Sequence, residues 1–353
     1  MARSSGKIDF LDFAKGYAIF TIVCYHTLQR VPLAPILQKA IIFGGSGVHL
    51  FFLLSGFGLG LSTWGGDTLK FYQRRASKVW LPYVLALSLS WILALTLHLF
   101  SDGWDAWLAG VALYQMFYEP YIHSFGGHYW FISAIIQFYL AFPLLVWLKG
   151  RFSNPWNYFW ICLIISVVWW LVVYLMGTGE LRSWNSFFLQ FLWEFALGQV
   201  LAEAYKAGNG QVKPYVLRAD FWNYKWGYYL PTGVLFTGIM IAMILKMGAA
   251  GKIFNDIPAL IGYTAICIFL FHVGERFIPV LKRLFLWIGG FSYSLYLVHI
   301  MVLELYLLGL RSVGVGVSLP VLLAYLPLAV LGAWAFEPLS RRWVGLFETK
   351  QNI

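Results

Sequence analysis

The first apolar run of the chain, "DFAKGYAIFTIVCYH", carries charged or titratable side chains at Asp12, Lys15 and His26. On an α-helix eleven residues advance three turns plus roughly 20° and rise about 16 Å. Lys15 and His26 therefore share one face, with Lys15 near one end of the run and His26 beyond its middle. Asp12, three residues before Lys15, falls on the same side and can pair with it, and Arg30 follows His26 by one turn. An imidazole with an ordinary pKa of about 6.5 can serve as a general base at neutral pH. Plainer readings stand beside this one: a lysine that snorkels to the interface and a core histidine bonded to a backbone carbonyl. For His26 the balance favours function, because an ionisable group inside an apolar span is costly and faces a cavity, a partner or a pathway.

Other stretches add candidates. In "SYSLYLVH" Ser292, Tyr296 and His299 recur at i, i+4 and i+7, one helix face. In "LKFYQRRASKVWLPY" Lys70, Arg74 and Lys78 stand at i, i+4 spacing with Arg75 beside them. That cluster suits a phosphate-rich ligand, and equally a membrane-anchoring loop. The glycines Gly44, Gly45 and Gly47 flank Ser46 at the depth of His26, where their backbone N–H groups either contact a polar substrate or form a plain turn. Gly56 and Gly60 make a small-xxx-small pair for close helix approach. His128, Tyr129 and Trp130 read as aromatic-belt residues, and Gln137 as a buried polar group able to bond another helix. Glu337 and Arg341 form a helix-end pair four residues apart. His272 and Glu275 lack further ligands at metal-site spacing, so no metal centre is expected.

The elements that must position these residues follow from composition. Of 353 residues, 60% are hydrophobic, 20% aromatic and 11% charged, against about 25% charged in a soluble domain. The expected fold is an all-α polytopic membrane bundle forming a single domain over 1–353. Its spans are expected at 10–29, 41–62, 79–100, 129–148, 156–176, 185–204, 228–247, 258–276, 286–310 and 317–336. The aromatic, Gly- and Pro-broken segment 102–128 reads as an outer-face cap or a re-entrant piece. No small-residue cleavage site follows the first run, so no cleaved signal peptide is expected.

The net charge of +10 reports topology rather than nucleic acid. With a cytoplasmic N-terminus, 19 of the 25 Lys and Arg residues fall on the cytoplasmic side. The other side holds Arg30, Lys39, Arg182, Lys246, Lys252 and Arg311. This places both termini in the cytoplasm. Cys24, Cys162 and Cys267 lie within apolar spans and read as packing residues, not as a disulfide frame.

Six of these stretches, in order and covering nearly the whole chain, resemble the acyltransferase-3 membrane family. They are "FLDFAKGYAIFTIVCYH", "GVHLFFLLSGF", "RRASKVWLPY", "HYWFISAIIQFYLAFPLL", "SYSLYLVH" and "FEPLSRRW". The resemblance implies transfer of an acyl group, most often acetyl, from acyl-CoA to a glycan or lipid-linked saccharide on the far side of a bacterial inner (plasma) membrane. It implies His26 as the catalytic base, with Lys15 and Asp12 beside it. Arg74, Arg75, Lys78 and Lys15 would hold the phosphates of acetyl-CoA or another acyl-CoA. Ser292, Tyr296, His299, Trp130, Gln137 and Gly45 would meet the acceptor. The sequence departs from the family where Lys15 and Lys78 replace arginine, and where Ile135 and Ile136 replace a glutamate that many members carry. A proton-coupled transporter using Lys15, His26 and His299 as a relay is the rival from another class.

Overall fold

The computed structural model describes residues 8–34, 37–38, 41–62, 65–208 and 226–348. The described residues are helical, with turns and loops between and no strand among them. Arg3, Lys7, Lys39, Lys213, Arg218, Lys225 and Lys350, all counted in the charge split, lie outside them.

Ten long helices, counted among the described residues, are labelled in chain order. They are α1 (Asp9–Leu28), α2 (Gly47–Leu61), α3 (Thr68–Leu97), α4 (Trp130–Lys149) and α5 (Pro155–Leu175). There follow α6 (Leu192–Ala207), α7 (Tyr229–Met247), α8 (Asp256–Arg276), α9 (Ser292–Ser312) and α10 (Tyr325–Glu348). Eight of the ten are long and apolar enough to cross a membrane, with short helical turns added before α2 and α10. The exceptions are α1, which carries Asp9, Asp12 and Lys15, and α6, which has 16 residues.

Helix α1 stands at the centre, packed by α2, α8, α9 and the short amphipathic helix Pro279–Gly289. Lipid tails are as apolar as leucine, so helices associate in a bilayer through close packing rather than water exclusion. The glycines show where that packing is tightest. A Cβ on Gly56 would lie 2.0 Å from the carbonyl oxygen of Phe195, and one on Gly198 2.1 Å from that of Leu53, so α2 and α6 touch backbone to backbone. Gly60 meets Ala202 in the same seam, as its spacing predicts. A stacked Phe52–Phe191 pair joins α2 to the turn before α6, and a stacked Phe138–Phe195 pair ties α4 into this contact, each with centroids 4.5 Å apart.

Two departures from the expected spans have local causes. The stretch 286–310 is not one helix. The amphipathic helix Pro279–Gly289 ends where a Cβ on Gly289 would fall 1.9 Å from the Asp12 carbonyl, and α9 starts afresh at Ser292. The third span begins eleven residues early, at Thr68, and widens into a π-helical turn over Ala76–Trp80, where Leu81 N–H donates to the Ala76 carbonyl. Pro82 has no N–H and would crowd the carbonyl four residues back. The wider turn relieves this, and Arg75, Ser77 and Lys78 around it line a cavity. Segment 102–128 contains the short helix Trp104–Val111 and three 3₁₀ turns, with the Phe125 amide held by Asp102 at 2.8 Å.

Candidate active site

Two cavities open at opposite ends of α1. The first, of about 680 Å³, is bounded by Lys15, Arg75, Lys78 and Arg341, by the end of α2 at Ser55 and Gly58, and by Ser292 and Tyr293 at the start of α9. The second, of about 790 Å³, is bounded by His26, Gly45, His49, His128, Trp130 and Arg182 among others. Phe131 and Tyr296 line both and form a common wall, their rings edge to face at 5.5 Å.

The cations of each cavity come from opposite sides of the expected topology. Lys15, Arg75, Lys78 and Arg341 belong to the majority side, Arg30, Arg182 and Lys252 to the other. In the first cavity, Lys15 Nζ lies 3.4 Å from Asp12 Oδ1, and Glu337 binds Arg341 at 2.9 Å and accepts a hydrogen bond from Ser294. Arg75 has no carboxylate partner among the described residues; its guanidinium lies over Phe71 and Tyr139, at 5.4 and 5.8 Å from the ring centres. An electron-rich aromatic face holds a guanidinium without neutralising it. The first cavity is thus a basic, half-open mouth.

Around His26 the second cavity gathers a histidine cluster. The His26 ring is 5.3 Å from that of His299 and 6.5 Å from that of His128, and His128 and His299 are 4.8 Å apart. His299 is fully buried, and its Nδ1 lies 2.7 Å from the Tyr296 carbonyl. A carbonyl can only accept, so Nδ1 carries the proton and Nε2 is left as a lone-pair acceptor, without a hydrogen-bond partner among the described residues. The frame behind the cluster is rigid: Tyr296 donates to the His128 carbonyl, Tyr129 to the Leu297 carbonyl at 2.9 Å, and Tyr325 to the His299 carbonyl. Among the described residues no group of three His, Cys, Asp or Glu side chains is arranged to hold a metal ion.

The expected site residues divide between these places. His26, Trp130 and Gly45 line the second cavity; Lys15, Arg75, Lys78 and Ser292 line the first; Tyr296 lines both. His299 stands behind His26, and Asp12 is buried beside Lys15. Arg74 is exposed and lines neither cavity. Gln137 lines neither as well: its Oε1 accepts from the Phe188 amide at 3.2 Å, a helix-to-turn bond. The Gly44–Gly47 stretch is a helical turn, not an open amide cradle. The amides of Gly44 and Ser46 donate to the Ile41 and Phe43 carbonyls, and a Cβ on Gly44 would strike the Thr21 carbonyl oxygen at 2.6 Å.

Several cavity residues escape a sequence reading. His128 looks like a belt residue, yet it is buried against His299. His49 binds Glu194, fully buried on α6, at 2.7 Å. Asp256 accepts from Gln190 Nε2 at 2.8 Å. A polar residue in an apolar span is a usable signal, but these partners are more than sixty residues away in sequence.

The fold and the paired cavities define a polytopic helical membrane protein with titratable chemistry at its core. A family model for an acyltransferase domain, the acyltransferase-3 type, matches residues 8–337, nearly the whole chain, and the protein belongs to that family. It is a membrane acyltransferase. No curated protein and no solved structure matches it.

Proposed function

We propose that the protein moves an acetyl or other short acyl group from cytoplasmic acyl-CoA to a hydroxyl of a glycan or lipid-linked saccharide on the outer face of a bacterial inner membrane. The observation that carries this reading is the common wall of Phe131 and Tyr296 between a basic cavity and a histidine-lined one. The CoA phosphates sit on Arg75, Lys78 and Lys15, groups suited to phosphate oxygens. The pantetheine chain runs inward, so the thioester arrives at the wall. An acceptor hydroxyl in the second cavity gives its proton to neutral His26 as its oxygen bonds the acyl carbon. The C–S bond breaks, and the thiolate leaves and takes up a proton to become CoA thiol. Holding both reactants in line supplies much of the rate.

The test is mass spectrometry of surface glycans after feeding isotope-labelled acetyl-CoA to inside-out membrane vesicles. Label on a glycan, lost in a His26→Ala strain, is the expected result. Substrate uptake driven by a proton gradient with no label transferred would support a transporter instead.

The donor site makes its own prediction. Arg75→Ala and Lys78→Ala each raise the KM for acetyl-CoA by about tenfold, the scale of one lost charge-assisted hydrogen bond. Arg74→Ala leaves it unchanged, because that side chain lines neither cavity. Equal effects from all three substitutions would reject the assignment.

A further inference from the structure

Three cations line the second cavity, and two are neutralised there. Arg30 pairs with Glu304, and Lys252 with Glu180 at 2.5 Å. Arg182 has no carboxylate partner among the described residues. Its Nη1 donates to Ser186 Oγ at 3.3 Å, and its guanidinium lies over the Trp130 ring at 4.9 Å. Ser186 Oγ donates in turn to Asn185 Oδ1 at 2.8 Å, and Asn185 Nδ2 to the Gly179 carbonyl at 2.7 Å. The group is therefore aimed and held, while most of its five N–H donors have no partner among the described residues. Trp130 adjoins Phe131, the wall residue, so the fork stands beside the place where transfer would occur.

Arg182 is open to the cavity, so its spare N–H donors are available to a ligand there. Glu119, Glu180 and Asp256 also line the cavity, and Glu119 and Glu180 act on the Arg182 charge from a distance, but Asp256 is engaged by Gln190, Glu180 by Lys252, and Glu119 forms no ion pair with Arg182. A neutral saccharide can accept single hydrogen bonds from a guanidinium, but it offers no pair of charged oxygens to fill the fork. A planar fork matches two oxygens of one carboxylate or phosphate. We infer that the acceptor carries an anionic oxyacid group near the acylated hydroxyl and that Arg182 binds it. This rests on the acyl-transfer reading for the hydroxyl, not for the anion.

The test is saturation-transfer NMR on the full-length protein in nanodiscs, with methyl glucuronide, glucose 1-phosphate and methyl glucoside as probes. The wild type is expected to bind one or both anions at least about tenfold more tightly than the neutral sugar. Which anion binds tells a sugar carboxylate from a sugar phosphate. Arg182→Gln abolishes the preference and Arg182→Lys keeps part of it, with CoA binding at the first cavity confirming that each variant is folded. Equal binding of the neutral sugar, an undiminished preference in Arg182→Gln, or no binding of either anion overturns the inference. Acetyl-CoA turnover measured on the same samples separates the two readings. Turnover that needs His26 while anions fail to bind sinks only this one; anion binding without turnover sinks only acyl transfer.

Discussion

Replacing His26 with alanine lowers kcat for acyl transfer by about 10²- to 10⁴-fold, the range of a positioned general base, and leaves the affinity for acetyl-CoA as it is. The split follows from geometry. His26 lines the second cavity only, whereas the donor's phosphates are assigned to Lys15, Arg75 and Lys78 at the other end of the same helix. The protein still folds, because His26 is only partly buried and lines a cavity rather than the packed core. Single-turnover rates and CoA binding, measured on one preparation, check both halves. His299→Phe provides a second reading: it keeps the ring against His26 but removes the Nε2 acceptor, so a smaller loss in kcat is expected than for His26→Ala. A loss in CoA affinity with kcat intact would remove His26 from the chemistry altogether.

Gly56→Val prevents the α2–α6 contact and costs about 3 kcal/mol or more, beyond the usual cost of an overpacked core. The obstacle is backbone, since a Cβ there would meet the Phe195 carbonyl oxygen at 2.0 Å and its carbon at 2.8 Å, and no rotamer change can clear them. Gly58, two residues on, is the control. Nothing lies within 4 Å of its Cβ position, so Gly58→Ala stabilises by up to about 1 kcal/mol through helix propensity. Thermal unfolding in detergent, followed by near-UV circular dichroism, should move in opposite directions for Gly56→Ala and Gly58→Ala. Activity falls with the fold in Gly56→Val because α2 borders both cavities, through Ser55 and Gly58 at one and His49 at the other.

Much of the bundle was legible in the chain, because crossing lipid requires long apolar helices and leaves a strong signal in hydropathy. The break at Gly289–Gly290 was not. The run "LFLWIGGFSYSLYL" is mostly apolar across the break, and the chain turns where Gly289 approaches the Asp12 carbonyl, a contact from a distant part of the sequence. Spacing along one helix placed Lys15 and His26 on one seam but not in separate cavities, since a cavity is made by neighbouring helices. The face of Ser292, Tyr296 and His299 was correctly grouped by periodicity, yet its three members divide between the first cavity, the wall and the layer behind His26. Arg182 was counted as a topological charge. What singles it out is that no carboxylate among the described residues forms an ion pair with it, since Glu180 is taken by Lys252, seventy-two residues further on.

The wall of Phe131 and Tyr296 has a consequence for the cell as well as for chemistry. A membrane that holds a potential stores about 2.3 kcal/mol per elementary charge for every 100 mV. A continuous water column through this bundle would discharge it. Phe131 and Tyr296 stand where the two cavities adjoin, so in the proposed reaction only the few atoms of an acyl group would have to pass them. In that reaction the same pair would also serve as an electrical seal, and a proton leak in vesicles carrying Phe131→Ala is the expected sign of it.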